Sequence, residues 1–160
     1  KIMEIKDSIC HSTARRNKPR PPRHWITNTV DKYLFLDNFY ECQVTYQGIT
    51  YQNSDAAFQA QKTTRNDWEE NKDQIMYEVV KAKFQQNPDL LQQLLDTGDD
   101  QIIEIVEGNN CQDSYWGVDS HLWLGYNKLG GICEKVREEL GGWKRNYTDE
   151  SVGLNLTFVE

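Results

Sequence analysis

The stretch from Asp67 to Phe84 constrains the fold most. Trp68, Ile75, Met76, Val79, Val80 and Phe84 recur there at helical spacing. Asn87-Pro88 ends the pattern, because proline lacks the donor a helix needs and turns the preceding residue away from helical backbone. A long helix with one apolar stripe must lay that stripe on partners, and the flanking sequence supplies them. Upstream, Asn53-Ser54 offers a cap for a helix from Asp55 to Lys62. Downstream, Leu90, Leu91, Leu94 and Leu95 form a third helical stripe, closed at Thr97-Gly98 where glycine suits left-handed backbone. A last helix is expected over 132–140. Between the helices lie short strand signals. Tyr33 to Leu36 suits a short buried strand. Cys42 to Tyr46 and Ile49 to Tyr51 flank Gln47-Gly48 as a hairpin. Ile102 to Val106 is rich in β-branched residues, and Leu154 to Val159 offers a final strand. Helices mixed with short strands predict an α+β fold, a single domain that is mostly helical.

A chain of 160 residues with 38% hydrophobic and 11% aromatic content can bury one real core. It holds no apolar run of membrane-spanning length and no secretory signal pattern, which leads to the expectation of a cytoplasmic protein without a membrane partner. Charge divides it. Residues 1–24 carry seven Lys/Arg against two Asp/Glu, whereas the remainder carries 11 against 23. Three of the four prolines fall at 19, 21 and 22 within the basic run Arg15 to Arg23. The expected organisation is a basic, proline-rich arm over 1–30, a globular domain over 31–142 and an extension over 143–160. The arm is a solvated linker, a phosphate-seeking segment or a strap on the acidic body. That acidic body argues against a broad nucleic-acid-binding face but allows a local anion pocket. Cys10, Cys42, Cys111 and Cys133 show no metal spacing, and His11, His24 and His121 form no metal or triad pattern. No metal and no cofactor is expected.

Three constellations could carry chemistry. Asp55, Phe58, Gln59 and Lys62 stand at i, i+3, i+4 and i+7, hence on one helical face. Such a face either meets solvent or lines a polar pocket, since burying the charges against an apolar core is costly. The second is the loop 109–117, NNCQDSYWG, in which Asp113 precedes Trp116 and Gly117. Its tryptophan either folds back on the core or stacks on a flat ring. The third is Gly125 to Gly131, a plain turn or a phosphate-holding turn before the last helix.

Taken in order, the blocks LDNFYECQ (36–43), GITYQNSDAAFQAQK (48–62), DWEENKDQIMYEVVKAKF (67–84), LLDTGDDQIIE (94–104), DSYWG (113–117) and GYNKLGGICEKVR (125–137) resemble the NADAR/YbiA-like family. The match runs over about 33–140. This resemblance implies an α+β N-glycosidase domain that hydrolyses an N-ribosyl bond without metal. The implied substrates are ADP-ribosylated guanine, an NAD or ADP-ribose derivative, or a phosphoribosylamino-pyrimidine of riboflavin synthesis. The partner is then a small nucleotide-like molecule, with ADP-ribosylated nucleic acid as a further candidate. Asp55 replaces the family's glutamate, one methylene shorter, and only Thr63 to Asn66 separates the two helices that family members hold further apart. A non-catalytic ADP-ribose or nucleotide binding module is therefore the alternative.

Carried onto this sequence, the resemblance implies a catalytic set of Asp55, Lys62 and Asp113. Asp55 would place negative charge near C1′. Lys62, if buried, would be either a nucleophile able to form a Schiff base with the opened ribose or a phosphate contact; ribose binding and pairing with Asp55 are its other candidate roles. Asp113 would orient the ribose or protonate the leaving base. Trp116 would stack on the base, Phe39 and Tyr40 would form the opposite wall, and Asn38, Phe58, Gln59, Gly117 and Asn127 would complete the substrate contacts. Arg137 would reach a phosphate or pair with Glu134 or Glu138. Trp68 and Phe84 read as core.

Overall fold

The computed structural model describes residues 25–106 and 113–142. The basic run, the stretch 107–112 and the expected strand at Leu154 to Val159 lie outside the described residues. The helix that the apolar stripe demands is α2, Trp68–Gln86, entered from Asp67 and ended at Asn87. Its buried face is Ile75, Met76, Val79, Val80, Lys83 and Phe84. Around it pack α1 (Ser54–Lys62), α3 (Pro88–Asp96) and α5 (Lys128–Glu139), together with the strand β2 (Val44–Tyr46). The short helix α4, Asp113–Trp116, lies between the last strands.

Two of the helix starts have a plain local cause. Asn53 Oδ1 accepts the Ala56 N–H at 2.7 Å and caps α1. Proline opens α3, where a missing donor costs nothing, and Gly98 closes the following turn at φ +62°. The hairpin β2 (Val44–Tyr46) and β3 (Ile49–Tyr51) turns on Gln47 and Gly48, both at positive φ, which matches the twist of the paired strands.

The strand readings need correction in three places. Tyr33 to Leu36 is not a strand but part of a 3-10 helix, Asp31–Leu36. The carbonyls of Phe35 and Asp37 there accept from the Lys83 ammonium at 2.6 and 2.9 Å, so they join no strand ladder. The run Ile102 to Val106 divides into β4 (Gln101–Ile103) and β5 (Ile105–Val106), with Glu104 at the break. β4 pairs in parallel with β1, Trp25–Thr27, and β5 pairs in parallel with β6, Val118–Asp119. β1 lies inside the span read as an arm, so the ordered architecture starts before residue 31.

The last helix begins at Lys128, not at Ile132, and takes both glycines 130 and 131 into its first turns. A Cβ on Gly130 would stand 2.2 Å from the Ile102 carbonyl oxygen and 2.5 Å from the Asn127 amide atoms. Gly130 lets the helix approach the strand. Gly130→Ala is expected to lower stability by about 1–3 kcal/mol through overpacking, despite alanine's better helix propensity. Urea unfolding checks this: the midpoint should fall with an unchanged slope. No helix among the described residues is long and apolar enough to cross a membrane.

Candidate active site

The turn after the 3-10 helix is built around Asp37 and Asn38. Asp37 Oδ1 accepts the Phe39 N–H at 2.7 Å, an Asx turn. Asn38 is buried and points inward. Its Oδ1 and its backbone oxygen accept the Ser54 hydroxyl at 3.0 and 3.2 Å, and its backbone oxygen also accepts the Asp55 N–H at 3.0 Å. Its Nδ2 lies 3.3 Å from Met76 Sδ. Asn38 therefore fastens the start of α1 to this turn and brings Asp55 beside Asp37. Asn28 joins from β1's end, with Nδ2 reaching Asp37 Oδ2 at 3.5 Å and Oδ1 accepting the Ile105 N–H at 2.8 Å.

Asp55 is half-buried. Desolvation raises its carboxyl above the ordinary value, the neighbouring Asp37 charge adds to the rise, and Gln59, 3.4 Å away, opposes it. The expected polar face of α1 is divided. Phe58 turns into the core, 4.7 Å from the Trp68 ring and 5.3 Å from Trp116, while Gln59 and Lys62 are exposed. Burial was the condition for Lys62 to act as a free-amine nucleophile, and it is not met.

Among the described residues the buried lysine is Lys83, 1% exposed. Desolvation drives its amine pKa down, opposed by Cys133, Cys42, Glu104 and Asp37. Its Nζ lies 5.9 Å from the Tyr40 ring centre. Glu104, 8% exposed, is the acid on the far side. Its carboxyl is raised well above the usual range by burial, with Asp37 adding to the rise and Lys83 opposing it. Asp37 is thus the shared neighbour of Asp55 and Glu104, with Lys83 among them. The exposed aromatics Phe39 and Tyr40 belong to the same turn.

Asn127 and Gly117 serve this cluster differently from the expected substrate contact. Asn127 is fully buried in left-handed backbone at φ 52°. Its Nδ2 donates to Ile102 O at 2.8 Å and its Oδ1 accepts the Glu104 N–H at 2.9 Å, so both amide ends are engaged internally. Gly117 lets the chain pass Glu104, since a Cβ there would lie 2.6 Å from the Glu104 carbonyl oxygen. That carbonyl accepts the Val118 N–H at 2.8 Å. Both peptide groups of Glu104 are therefore fixed. Arg137 is likewise internal, 2% exposed, and its Nη1 donates to Thr97 Oγ1 at 2.8 Å and Asp100 O at 2.9 Å.

Trp116 is half-buried, edge-on to Phe58 and to Tyr115. Tyr115 anchors α4 to α2 through a 2.5 Å hydrogen bond to Asp73, with the Lys72 ammonium 4.4 Å from its ring centre. Asp113 opens α4, and its side chain lies outside the described residues. Among the described residues no group of three or more His, Cys, Asp and Glu could hold a metal.

Sequence reasoning passed over Lys83, Glu104, Asp37 and Asn28 as site residues, yet two carried a signal. Lys83 stands seven positions after Met76, on the apolar stripe itself, and Glu104 interrupts a run of β-branched residues. A charge in an apolar pattern is either paired or functional.

The profile of the NADAR domain family matches residues 62–141, half of the chain. A riboflavin biosynthesis protein of Vibrio vulnificus is 33% identical over 166 residues, covering 85% of this chain and 43% of its own length. The N-glycosidase YbiA of Escherichia coli is 29% identical over 141 residues, covering 71% of this chain and 85% of its own. An N-glycosidase of Nostoc punctiforme is 41% identical over 76 residues, 48% of this chain and 46% of its own. The chain thus spans less than half the length of the Vibrio and Nostoc relatives. The solution structure of E. coli YbiA superposes with a TM-score of 0.62 at 27% identity, covering 79% of this chain and 90% of that one. Fold, profile and relatives agree: this chain belongs to the NADAR domain family.

Proposed function

We propose that the chain is an N-glycosidase that hydrolyses an N-ribosyl bond of a nucleotide-like substrate. The observation that carries this is the placing of Asp37 beside both Asp55 and Glu104, with the buried Lys83 next to Asp37 and Glu104 and the exposed Phe39 and Tyr40 on the same turn. Breaking such a bond passes through an oxocarbenium-like centre that needs negative charge near C1′ and a positioned water. Asp55 supplies that charge at the edge of the cluster. Phe39 and Tyr40 offer flat surfaces to a base, and Trp116 offers another. Asp113 orients the ribose from the start of α4. Lys62, exposed two turns along α1, contacts phosphate at the rim. Lys62→Ala should then raise KM by roughly tenfold at most and leave kcat nearly unchanged, as loss of uniform binding does; steady-state kinetics reads both.

The candidate substrates are those that the family resemblance implies, namely ADP-ribosylated guanine, an NAD or ADP-ribose derivative, or a phosphoribosylamino-pyrimidine; the Vibrio relative is named for riboflavin biosynthesis. A cytoplasmic setting suits the free thiols of Cys42 and Cys133. Incubation of the full chain with these three classes, followed by mass spectrometry, tests the reading. Free base and sugar phosphate are expected from one of them. Intact substrates, with ADP-ribose still raising the melting temperature, would replace the enzyme with a binding module.

A further inference from the structure

We propose that Tyr115 is a positioning residue of the N-glycosidase site: clasped between α2 and α5, it sets the short helix α4 and with it the two α4 residues of the site, Asp113 and Trp116. This deepens the N-glycosidase reading and rests on it.

α4 cannot place itself. It has four residues, Asp113–Trp116, and in so short a helix nearly every backbone group belongs to an end. Contacts with other elements must therefore set its place. Two are backbone bonds. Ser114 O accepts the Tyr126 N–H at 2.8 Å, and Gly117 O accepts the Asn127 N–H at 3.1 Å. Both tie α4 to the segment that leads into α5. Neither reaches α2, the helix on which α1 packs.

The Tyr115 side chain makes that link. Its hydroxyl donates to Asp73 Oδ1 on α2 at 2.5 Å. Oδ2 of the same carboxylate pairs with Lys128 Nζ of α5 at 3.3 Å. Lys72 Nζ stands 4.4 Å from the Tyr115 ring centre, Lys128 Nζ 5.7 Å and the Tyr126 ring centre 5.7 Å. Lys72 is itself held by Glu69 at 2.6 Å. A hydroxyl on a carboxylate is a strong hydrogen bond, and cations near the ring add to it. Burial, with Asp73 adding, keeps the phenol above its ordinary range, so the hydroxyl stays a donor.

The neighbouring residue carries the consequence to the site. The Trp116 ring centre lies 5.0 Å from that of Tyr115 and 5.3 Å from that of Phe58, each pair nearly perpendicular. Phe58 is three residues after Asp55 on α1, one helical turn away. A tilt of α4 away from α2 would shift Trp116 and Asp113 relative to Asp55, which is fixed separately through Asn38. A misplacement of about 1 Å in such a group costs up to about 10²-fold in rate.

The test is a double-mutant cycle on the full chain with the substrate that the wild type cleaves: Tyr115→Phe, Asp73→Ala and both together. Phenylalanine keeps the ring and removes only the tether. Tyr115→Phe is expected to lose about 10–100-fold in kcat/KM, most of it in kcat, while melting curves show a folded protein. The double variant should be no more than about threefold worse than Asp73→Ala, because the tether is already gone. A second readout needs no turnover. Trp116 emission, isolated by subtracting the matching Trp116→Phe protein, should be more open to acrylamide quenching in Tyr115→Phe. A Tyr115→Phe protein that cleaves within about threefold of wild type overturns the proposal, as do losses that multiply in the double variant. Unchanged quenching of Trp116 also overturns it, as does a Tyr115→Phe protein that is unfolded, since the hydroxyl then serves the fold at large. A wild-type chain that cleaves nothing fails at the earlier step, the N-glycosidase reading, and takes this proposal with it.

Discussion

Asp55→Asn should keep the fold and the ligand and lose base release by about 10²–10³-fold. The side chain is half-buried at the start of α1, and its hydrogen bond to Gln59 is long at 3.4 Å, so little structure depends on its charge. Its position is set by the backbone, through the Asp55 N–H bond to Asn38 O, which asparagine keeps. What asparagine lacks is a full negative charge for the developing positive centre at C1′. The pH dependence has a definite sign. The carboxyl must be ionised, and burial beside Asp37 raises its pKa above 3.8. Wild-type activity should therefore fall as pH drops through a value above 3.8, and the remaining activity of Asp55→Asn should not follow that limb. Calorimetric binding, single-turnover rates and melting curves on the two proteins read the three claims separately.

Lys83→Met should be the most damaging single change to the architecture of the site. Methionine fills the volume and removes the cost of burying an amine, but it donates nothing. The Phe35 and Asp37 carbonyls then lose donors now at 2.6 and 2.9 Å, the first of them in a buried hydrogen bond. A buried acceptor left without a partner costs about 1–3 kcal/mol. A net loss of about 2–4 kcal/mol is expected, which for a domain of this size lowers Tm by roughly 4–16 °C. Activity should fall further than stability alone explains, because the turn that carries Asp37, Phe39 and Tyr40 loses its anchor. Denaturant unfolding and kcat on the folded fraction separate the two effects.

Much of the framework was legible because it follows from periodicity and punctuation. The α2 stripe, the Asn53 cap, the Gln47-Gly48 hairpin and the Thr97-Gly98 stop are local signals, and the structure keeps each of them. What resisted reading was non-local. Tyr33 to Leu36 read as a strand because a short apolar run does not reveal that Lys83, 48 residues on from Phe35, takes its carbonyl. Gly130 and Gly131 read as a turn because the strand that Gly130 approaches lies in another part of the chain. The site shows the same division. Asp55 stands out in the sequence by its place on a capped helix, and its proposed role comes from the family resemblance. Lys62 and Lys83 both sit in family blocks, and the sequence spacing drew attention to the lysine that shares a face with Asp55. Yet a lysine on the stripe with Met76, Val79 and Val80 is the one that the core encloses. Asn127 is polar and follows a glycine-containing turn, which reads as a ligand contact, but left-handed backbone and two internal hydrogen bonds commit it to β4.

The central claim is hydrolysis by this cluster, and isotope placement tests it most directly. The full chain is incubated in ¹⁸O-labelled water with the panel of N-ribosyl substrates, and both products are weighed. The account predicts one ¹⁸O atom on the released sugar, none on the base, and no label from the Asp55→Asn protein on the same timescale. Unlabelled, intact substrate after prolonged incubation, with ADP-ribose still protecting the fold from heat, would contradict it and leave a binding module in its place.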